Sequence, residues 1–258
     1  MRSPEPPDLK SITNDGLMLW IMHALGDEFR DHAILKGGMQ LMLLSSERAT
    51  NDLDYVFTPF ASKRDIEPTL DAIFAKLSNA QVQKSFHSNT GRYRITIGKA
   101  AVQLEYNVAI SVASTSLTTQ LLAARVGALP RVIRVMSPEV AFAHKLAAWN
   151  ERRLLRDIYD CYYWYAIVRV HPDLKTLNER LAAVNSRLPE FKKAKRMSLS
   201  TFLQQFEGTI QTLTETLLTE HLGALVVPSK LNGLLPVLKA QLNEFIVKMR
   251  MTLDDDKG

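Results

Sequence analysis

The sequence predicts an α+β fold: a mixed sheet with flanking helices in the first half and a helical domain in the second. Three observations carry this. Before Ser114, short segments of alternating apolar and polar residues, such as "RYRITI" and "AVQLEYNV", interleave with runs at helical spacing. Beyond Ser137-Pro138-Glu139 nearly every apolar run has the helical period, and that triplet opens a helix with a capping serine and a proline at its first position. Between the two regions the strand pattern fades, apart from "RVIRVM" at 131–136. The expected division is therefore 1–136 and 137–258.

Taken in order, Leu17, Leu19, Trp20, Met22 and Leu25 recur at helical spacing and predict a first helix over Ser11 to Gly26. "HAIL" reads as a short strand that runs into Lys36-Gly37-Gly38. Residues 39–47 read as a helix, "DLDYVF" as a strand with two distinct faces, and Arg64 to Leu77 as a helix. "QVQKSF" is a further strand, and "RYRITI", "GKA" and "AVQLEYNVAI" form a hairpin turning at Gly98. Helices follow at 138–150, 156–170, 173–184, 199–221 and 229–251, with prolines 189, 228 and 236 as breaks or first turns.

A chain of 258 residues, 46% hydrophobic and 23% charged, can bury a substantial core, so disordered and fibrous classes are excluded. A formal charge of +5 favours nucleotide or nucleic-acid partners. Cys161 is the one cysteine, which excludes an internal disulfide and a cysteine zinc site; within "CYYWY" it reads as a small buried hydrophobe. No apolar run approaches the roughly 20 residues of a membrane span, and "MRSPEPPDLK" lacks the apolar stretch of a signal peptide. A cytoplasmic protein is expected.

The chemistry concentrates in "ILKGGMQLMLLSSERATNDLDYVF". On a strand, Asp52 and Asp54 project from one face while Leu53 points the other way. Two adjacent carboxylates repel unless a cation lies between them, and magnesium suits a pair of carboxylates plus substrate phosphates. The plainer reading is a hydrated pair at the end of an edge strand. Gly37-Gly38 would let the backbone approach a phosphate, or simply make a strand-to-helix turn. Glu105, on the polar face of "VQLEYNV", becomes a third carboxylate if that strand lies beside "DLDYVF"; otherwise it faces solvent. Three carboxylates with a glycine loop suit metal-assisted nucleotidyl transfer, with Glu105 helping to deprotonate the attacking hydroxyl.

These segments resemble the signature of the AbiEii family of nucleotidyltransferase toxins, L-K-G-G-x-x-L followed by R-x-[ST]-x-D-x-D, with Arg48, Thr50, Asp52 and Asp54 in register. "VQLEYNV" matches the family's third acidic strand. Lys145 and "RDIYD" at 156–160 match its distal helical motif. The resemblance implies a polymerase-β-like nucleotidyltransferase core and transfer of a nucleoside monophosphate from an NTP with Mg2+. The implied acceptor is RNA, tRNA in some members, or protein, and a cognate antitoxin is an implied partner. It implies that Asp52, Asp54 and Glu105 hold metal. Lys36, Gly37, Gly38, Arg48, Thr50, Lys145 and Arg156 would serve the nucleotide, and Asp157 would orient Lys145 or Arg156. Two departures stand out: Met39 occupies a position where a phosphate-binding hydroxyl is usual, and the third carboxylate is Glu rather than Asp. A catalytically weak or inactive relative that binds RNA or a partner protein is the alternative, supported by Met39 and the basic cluster "KKAKR" at 192–196.

Overall fold

The computed structural model describes residues 12–44, 49–87, 90–192 and 195–255. The chain forms two compact units that divide between Ser137 and Pro138.

The first unit is built on one seven-stranded sheet. In chain order its strands are β1 (Ala33–Lys36), β2 (Asp52–Phe57), β3 (Gln81–Phe86), β4 (Gly91–Ile97), β5 (Ala100–Val108), β6 (Ser114–Thr118) and β7 (Val132–Met136). Their order across the sheet is β3-β4-β5-β2-β1-β7-β6. The β2/β5 and β1/β7 pairs are parallel and the rest antiparallel, so the sheet is mixed. Helices α1 (Asn14–Phe29), α2 (Gly37–Leu43), α3 (Glu67–Ala75) and α4 (Gln120–Arg125) complete it.

Alternation makes the sheet two-faced. Leu53, Tyr55 and Phe57 of β2, Val102, Leu104 and Tyr106 of β5, and Tyr93, Ile95 and Ile97 of β4 are all buried, in one core with Leu17, Ile21 and Leu25 of α1 and Leu70, Ile73 and Phe74 of α3. The intervening residues, including Asp52, Asp54, Gln103, Glu105, Arg92 and Arg94, fall on the opposite face. Thr13 caps α1 by accepting the Gly16 N–H. Gly98, at φ +57°, turns β4 into β5 as its position in "IGKA" predicts.

The second unit is helical: α5 (Pro138–Arg152), α6 (Leu155–Tyr162), α7 (Leu174–Ala182), α8 (Leu199–Thr212), α9 (Glu215–Leu222), α10 (Pro228–Leu231) and α11 (Leu234–Asp255). Its core combines buried leucines with a set of aromatic rings. The Trp149 ring lies 5.7 Å from Phe202 and 4.7 Å from Phe206, and the Phe142 ring lies 5.3 Å from Phe245.

The structure departs from the sequence reading in four places. Strand β6 and helix α4 occupy a stretch expected to be irregular; β6 is an exposed edge strand of serines and threonines, so it lacks apolar alternation. The helix expected over 199–221 breaks at Leu213-Thr214, where Thr214 caps α9 by accepting the Leu217 N–H. The helix expected over 229–251 breaks at Asn232-Gly233, with Gly233 at φ +72°. The helix expected over 156–170 continues past Tyr162 as a π-helical turn, Tyr163–Val168, which Arg169 ends at φ +61°.

Candidate active site

Two cross-strand rows define the polar face at the centre of the sheet. Parallel pairing sets Asp54 opposite Glu105, and antiparallel pairing sets Lys36 opposite Asp54 and Arg92 opposite Glu105. The resulting row, Lys36-Asp54-Glu105-Arg92, alternates as cation, two anions, cation. One step along, Asp52 faces Gln103, which faces Arg94. Asp52 and Asp54, two residues apart on one strand face, have Cα atoms about 7 Å apart.

The backbone supports Asp54 from below. Gly37 lies at φ +77°, a conformation that side-chain-bearing residues rarely adopt. A Cβ there would sit 3.0 Å from Asp54 Cγ and closer still to Oδ2. Glycine is therefore required twice over, by its dihedral and by the carboxylate pressed against it. Thr50 fixes the entry to β2, its hydroxyl accepting the Asp52 N–H at 3.2 Å. Asn14, at the start of α1, ties the same end of the sheet by accepting the Ala101 N–H at 2.9 Å and donating to Asn51 at 3.2 Å.

Glu105 is held by two donors on its own face. The Arg92 guanidinium donates to its Oε1, and the Gln103 amide donates to the same oxygen at 3.1 Å. Arg92 was not singled out in the sequence, although the hairpin "RYRITIGKAAVQLEY" fixes its register against Glu105 once Gly98 is taken as the turn. Met39 is fully buried in the core of the first unit, so no hydroxyl is offered at its position and the thioether serves packing.

The second unit carries its own charged cluster. Lys145 on α5 places Nζ 2.7 Å from Asp160 Oδ2 and 3.8 Å from Asp157 Oδ1. Arg152, at the end of α5, grips Asp157 through two hydrogen bonds of 2.6 Å. Both aspartates have no solvent exposure. Burying two carboxylates is costly unless each is paired, and here each has its own cation. Asp157 thus orients Lys145 only in part and Arg156 not at all. Arg156 is exposed and pairs with neither aspartate, contrary to the i,i+4 pairing with Asp160 that its spacing suggests. Arg152 is the partner that the sequence reading passed over, and Asp160 is held by Lys145 in place of Arg156. Burial pushes the neighbouring Cys161 thiol well up, with the Asp157 and Asp160 charges adding to the effect, which leaves it an inert packing group.

Arg48 lies outside the described residues, as do Lys193 and Ala194 of the basic cluster. Lys195 and Arg196 are exposed, and the Lys195 carbonyl accepts the Val184 N–H at 2.8 Å. Among the described residues no three His, Cys, Asp or Glu side chains are grouped to hold a metal ion, and no helix is long and apolar enough to cross a membrane. Asp52 and Asp54 nonetheless supply the hard oxygen donors that magnesium takes from proteins, one or two carboxylates with phosphates and waters completing its shell. The residues fit a cation on that pair, while Glu105 is engaged by Arg92 and Gln103.

A search of curated proteins finds none that matches the chain. The family model for the nucleotidyl transferase AbiEii toxin of type IV toxin–antitoxin systems matches residues 21–246, a span that includes the carboxylate rows of the sheet and the Lys145 cluster, so the chain belongs to the AbiEii family.

Proposed function

We propose that the chain transfers a nucleoside monophosphate from an NTP to a hydroxyl of an RNA acceptor, with Mg2+, and that an antitoxin partner restrains it. The family supplies the coarser statement, a nucleotidyl transferase toxin of a type IV system. The observation that carries the finer reading is the pairing of Asp54 with Glu105 across β2 and β5, beside Asp52 and against the Gly37 backbone.

In this reading Asp52 and Asp54 hold the magnesium ion, which supplies Lewis-acid stabilisation of the charge that grows on the triphosphate. The acceptor hydroxyl oxygen attacks the α-phosphorus, its proton passes to Glu105, and pyrophosphate departs. Arg92 and Gln103 keep the Glu105 carboxylate turned along the polar face, and Lys36 adds positive charge beside Asp54. Within the helical unit, Lys145 is assigned to phosphate neutralisation, its ammonium kept in place by Asp160 and Asp157.

Incubation with labelled NTPs, Mg2+ and total tRNA is expected to label RNA in a way that Asp52→Ala abolishes. The second reading, a weak or inactive relative that binds rather than transfers, is favoured by Met39 lying in the core and by the Arg92 grip on Glu105. Magnesium-dependent NTP binding separates the two: a chain that binds RNA but no NTP at any magnesium concentration removes the catalytic reading.

A further inference from the structure

Residues 72–104 contain no aspartate or glutamate, in a chain that averages an acid about every ten residues. The same span carries Lys76, Lys84, Arg92, Arg94 and Lys99. It folds into the end of α3, the strands β3 and β4 and the first part of β5. That is the edge of the sheet that flanks the carboxylates.

The cations of this span divide by face. Lys76 pairs with Glu28, and Lys84 pairs with Glu67 and Asp71 of α3, on the side of the sheet opposite the carboxylates. Arg92 pairs with Glu105. Arg94, on the carboxylate face, and Lys99, at the hairpin tip, are exposed and have no carboxylate partner among the described residues. Register sets Arg94 in the row Asp52-Gln103-Arg94-Gln83. Two strand spacings separate it from Asp52, about 10 Å. Gln81, Gln83, Thr96 and Gln103 share this face, while the exposed apolar side chains of β3, Val82 and Phe86, alternate to the other.

We propose that the polar face of β3, β4 and the first part of β5 is the acceptor bed, and that it takes a single-stranded RNA segment whose phosphates meet Arg94 and Lys99. The inference rests on the nucleotidyl-transfer reading above and deepens it. An acid-free face with two uncommitted cations lowers the free energy of a polyanion lying across it. The glutamine amides and the Thr96 hydroxyl offer donors and acceptors to exposed base edges, as recognition of unpaired RNA requires. A protein acceptor would call for buried aromatic or aliphatic anchors, and this face presents none from β3. From Arg94 the strand has about 10 Å to run before its terminal hydroxyl reaches the carboxylates.

The test is fluorescence anisotropy of a labelled short single-stranded RNA with the full chain, together with NTP affinity and the acceptor KM. Arg94→Glu with Lys99→Glu is expected to weaken RNA binding at least tenfold and to reduce the salt slope by about 1.4, for two phosphates at about 0.7 each. The milder pair Arg94→Gln with Lys99→Gln is expected to lie between this variant and the parent, with an unchanged melting temperature. Lys175→Glu with Lys239→Glu, the same charge change placed in the helical unit, is expected to retain parental RNA affinity. RNA affinity within twofold of the parent in the first variant overturns the proposal, as does an equal loss in the helical-unit control. Labelling of a protein with no RNA bound overturns it too. RNA labelling with an unaltered acceptor KM sinks the bed and leaves nucleotidyl transfer standing. RNA binding that needs Arg94 and Lys99 in a chain that transfers nothing supports the bed and removes the transfer.

Discussion

Asp54 and Glu105 stand directly opposite one another on parallel neighbours β2 and β5. Opposed residues share a sheet face, so the pair brings together two carboxylates that lie 51 positions apart in the chain. Like charges in this arrangement destabilise a sheet unless something compensates, and the flanking Lys36 and Arg92 are the compensation in the protein alone. The row is thus balanced at its ends and acidic at its centre, with Asp52 adding a further carboxylate two residues along β2.

Neutralising either carboxylate of β2 tests the proposed role of that pair in holding magnesium. Asp52→Asn and Asp54→Asn are each expected to lower nucleotidyl transfer roughly a thousandfold or more, equivalent to several kcal/mol of lost charge stabilisation. Because both changes remove a negative charge from a crowded face, the melting temperature is expected to hold or rise slightly. Transfer assays and thermal melts on the same preparations check both halves, and retained activity in the two variants removes these residues from the chemistry.

Gly37→Ala is expected to cost about 1–3 kcal/mol, because alanine at φ +77° is strained and its methyl collides with the Asp54 carboxylate. The two contributions separate in a double-mutant cycle. Adding Asp54→Gly removes the collision and leaves the dihedral cost, so part of the loss is expected to return. Chemical denaturation of the four proteins reads the coupling; an additive cycle shows that the carboxylate does not press on the loop.

Much of the sheet was legible in the sequence because alternation is a local signal. "RYRITI" and "VQLEY" announce both strands, Gly98 announces their turn, and together they determine which residues share a face. The placement of the candidate carboxylates was legible for the same reason: Asp52, Asp54 and Glu105 all lie at polar positions of alternating strands. What could not be read is pairing across long sequence distances. Lys145 choosing Asp160 does not follow from spacing, and the i,i+4 rule pointed Asp160 to Arg156 instead, whereas the hairpin register does set Arg92 opposite Glu105 and that pair was passed over. Strand β6 escaped because an exposed edge of serine and threonine carries no hydrophobic period. Met39 shows the converse: the sequence reading took it only as a missing phosphate-binding hydroxyl, and its burial in the core appears only in the structure.

The helical cluster predicts an order of costs. Lys145→Met takes the ammonium from an Asp160 carboxylate that has no exposure, and is expected to cost about 3–5 kcal/mol. Asp157→Asn is expected to cost less, about 1–3 kcal/mol, because its partner Arg152 is 43% exposed and can be hydrated instead. Replacing both charges, Lys145→Met with Asp160→Leu, is expected to recover much of the first loss while leaving transfer absent. Denaturation midpoints settle the order, and a double variant no more stable than Lys145→Met alone refutes the buried-charge account.

His23 gives the fold a pH dependence whose direction follows from its surroundings. Its ring is buried in α1, 3.0 Å from the Thr119 hydroxyl. That hydroxyl also accepts the Arg131 N–H at 2.9 Å and donates to the Arg131 carbonyl at 3.2 Å, which leaves Nε2 of His23 as the donor. Burial lowers its pKa from 6.5 to about 4, the Arg131 charge adds to this, and Asp27 partly opposes it. The unfolded chain therefore takes up a proton that the folded protein refuses between about 6.5 and about 4. The stability contribution is complete above the upper value, falls as the pH drops through this window, and levels off below it. The full loss is on the order of 3 kcal/mol. Urea denaturation at several pH values between 7.5 and 4.5 is expected to show this decline in the parent and a shallower one in His23→Gln, whose amide retains a donor for Thr119 but does not titrate. Parallel curves for the two proteins would assign the acid sensitivity to other groups.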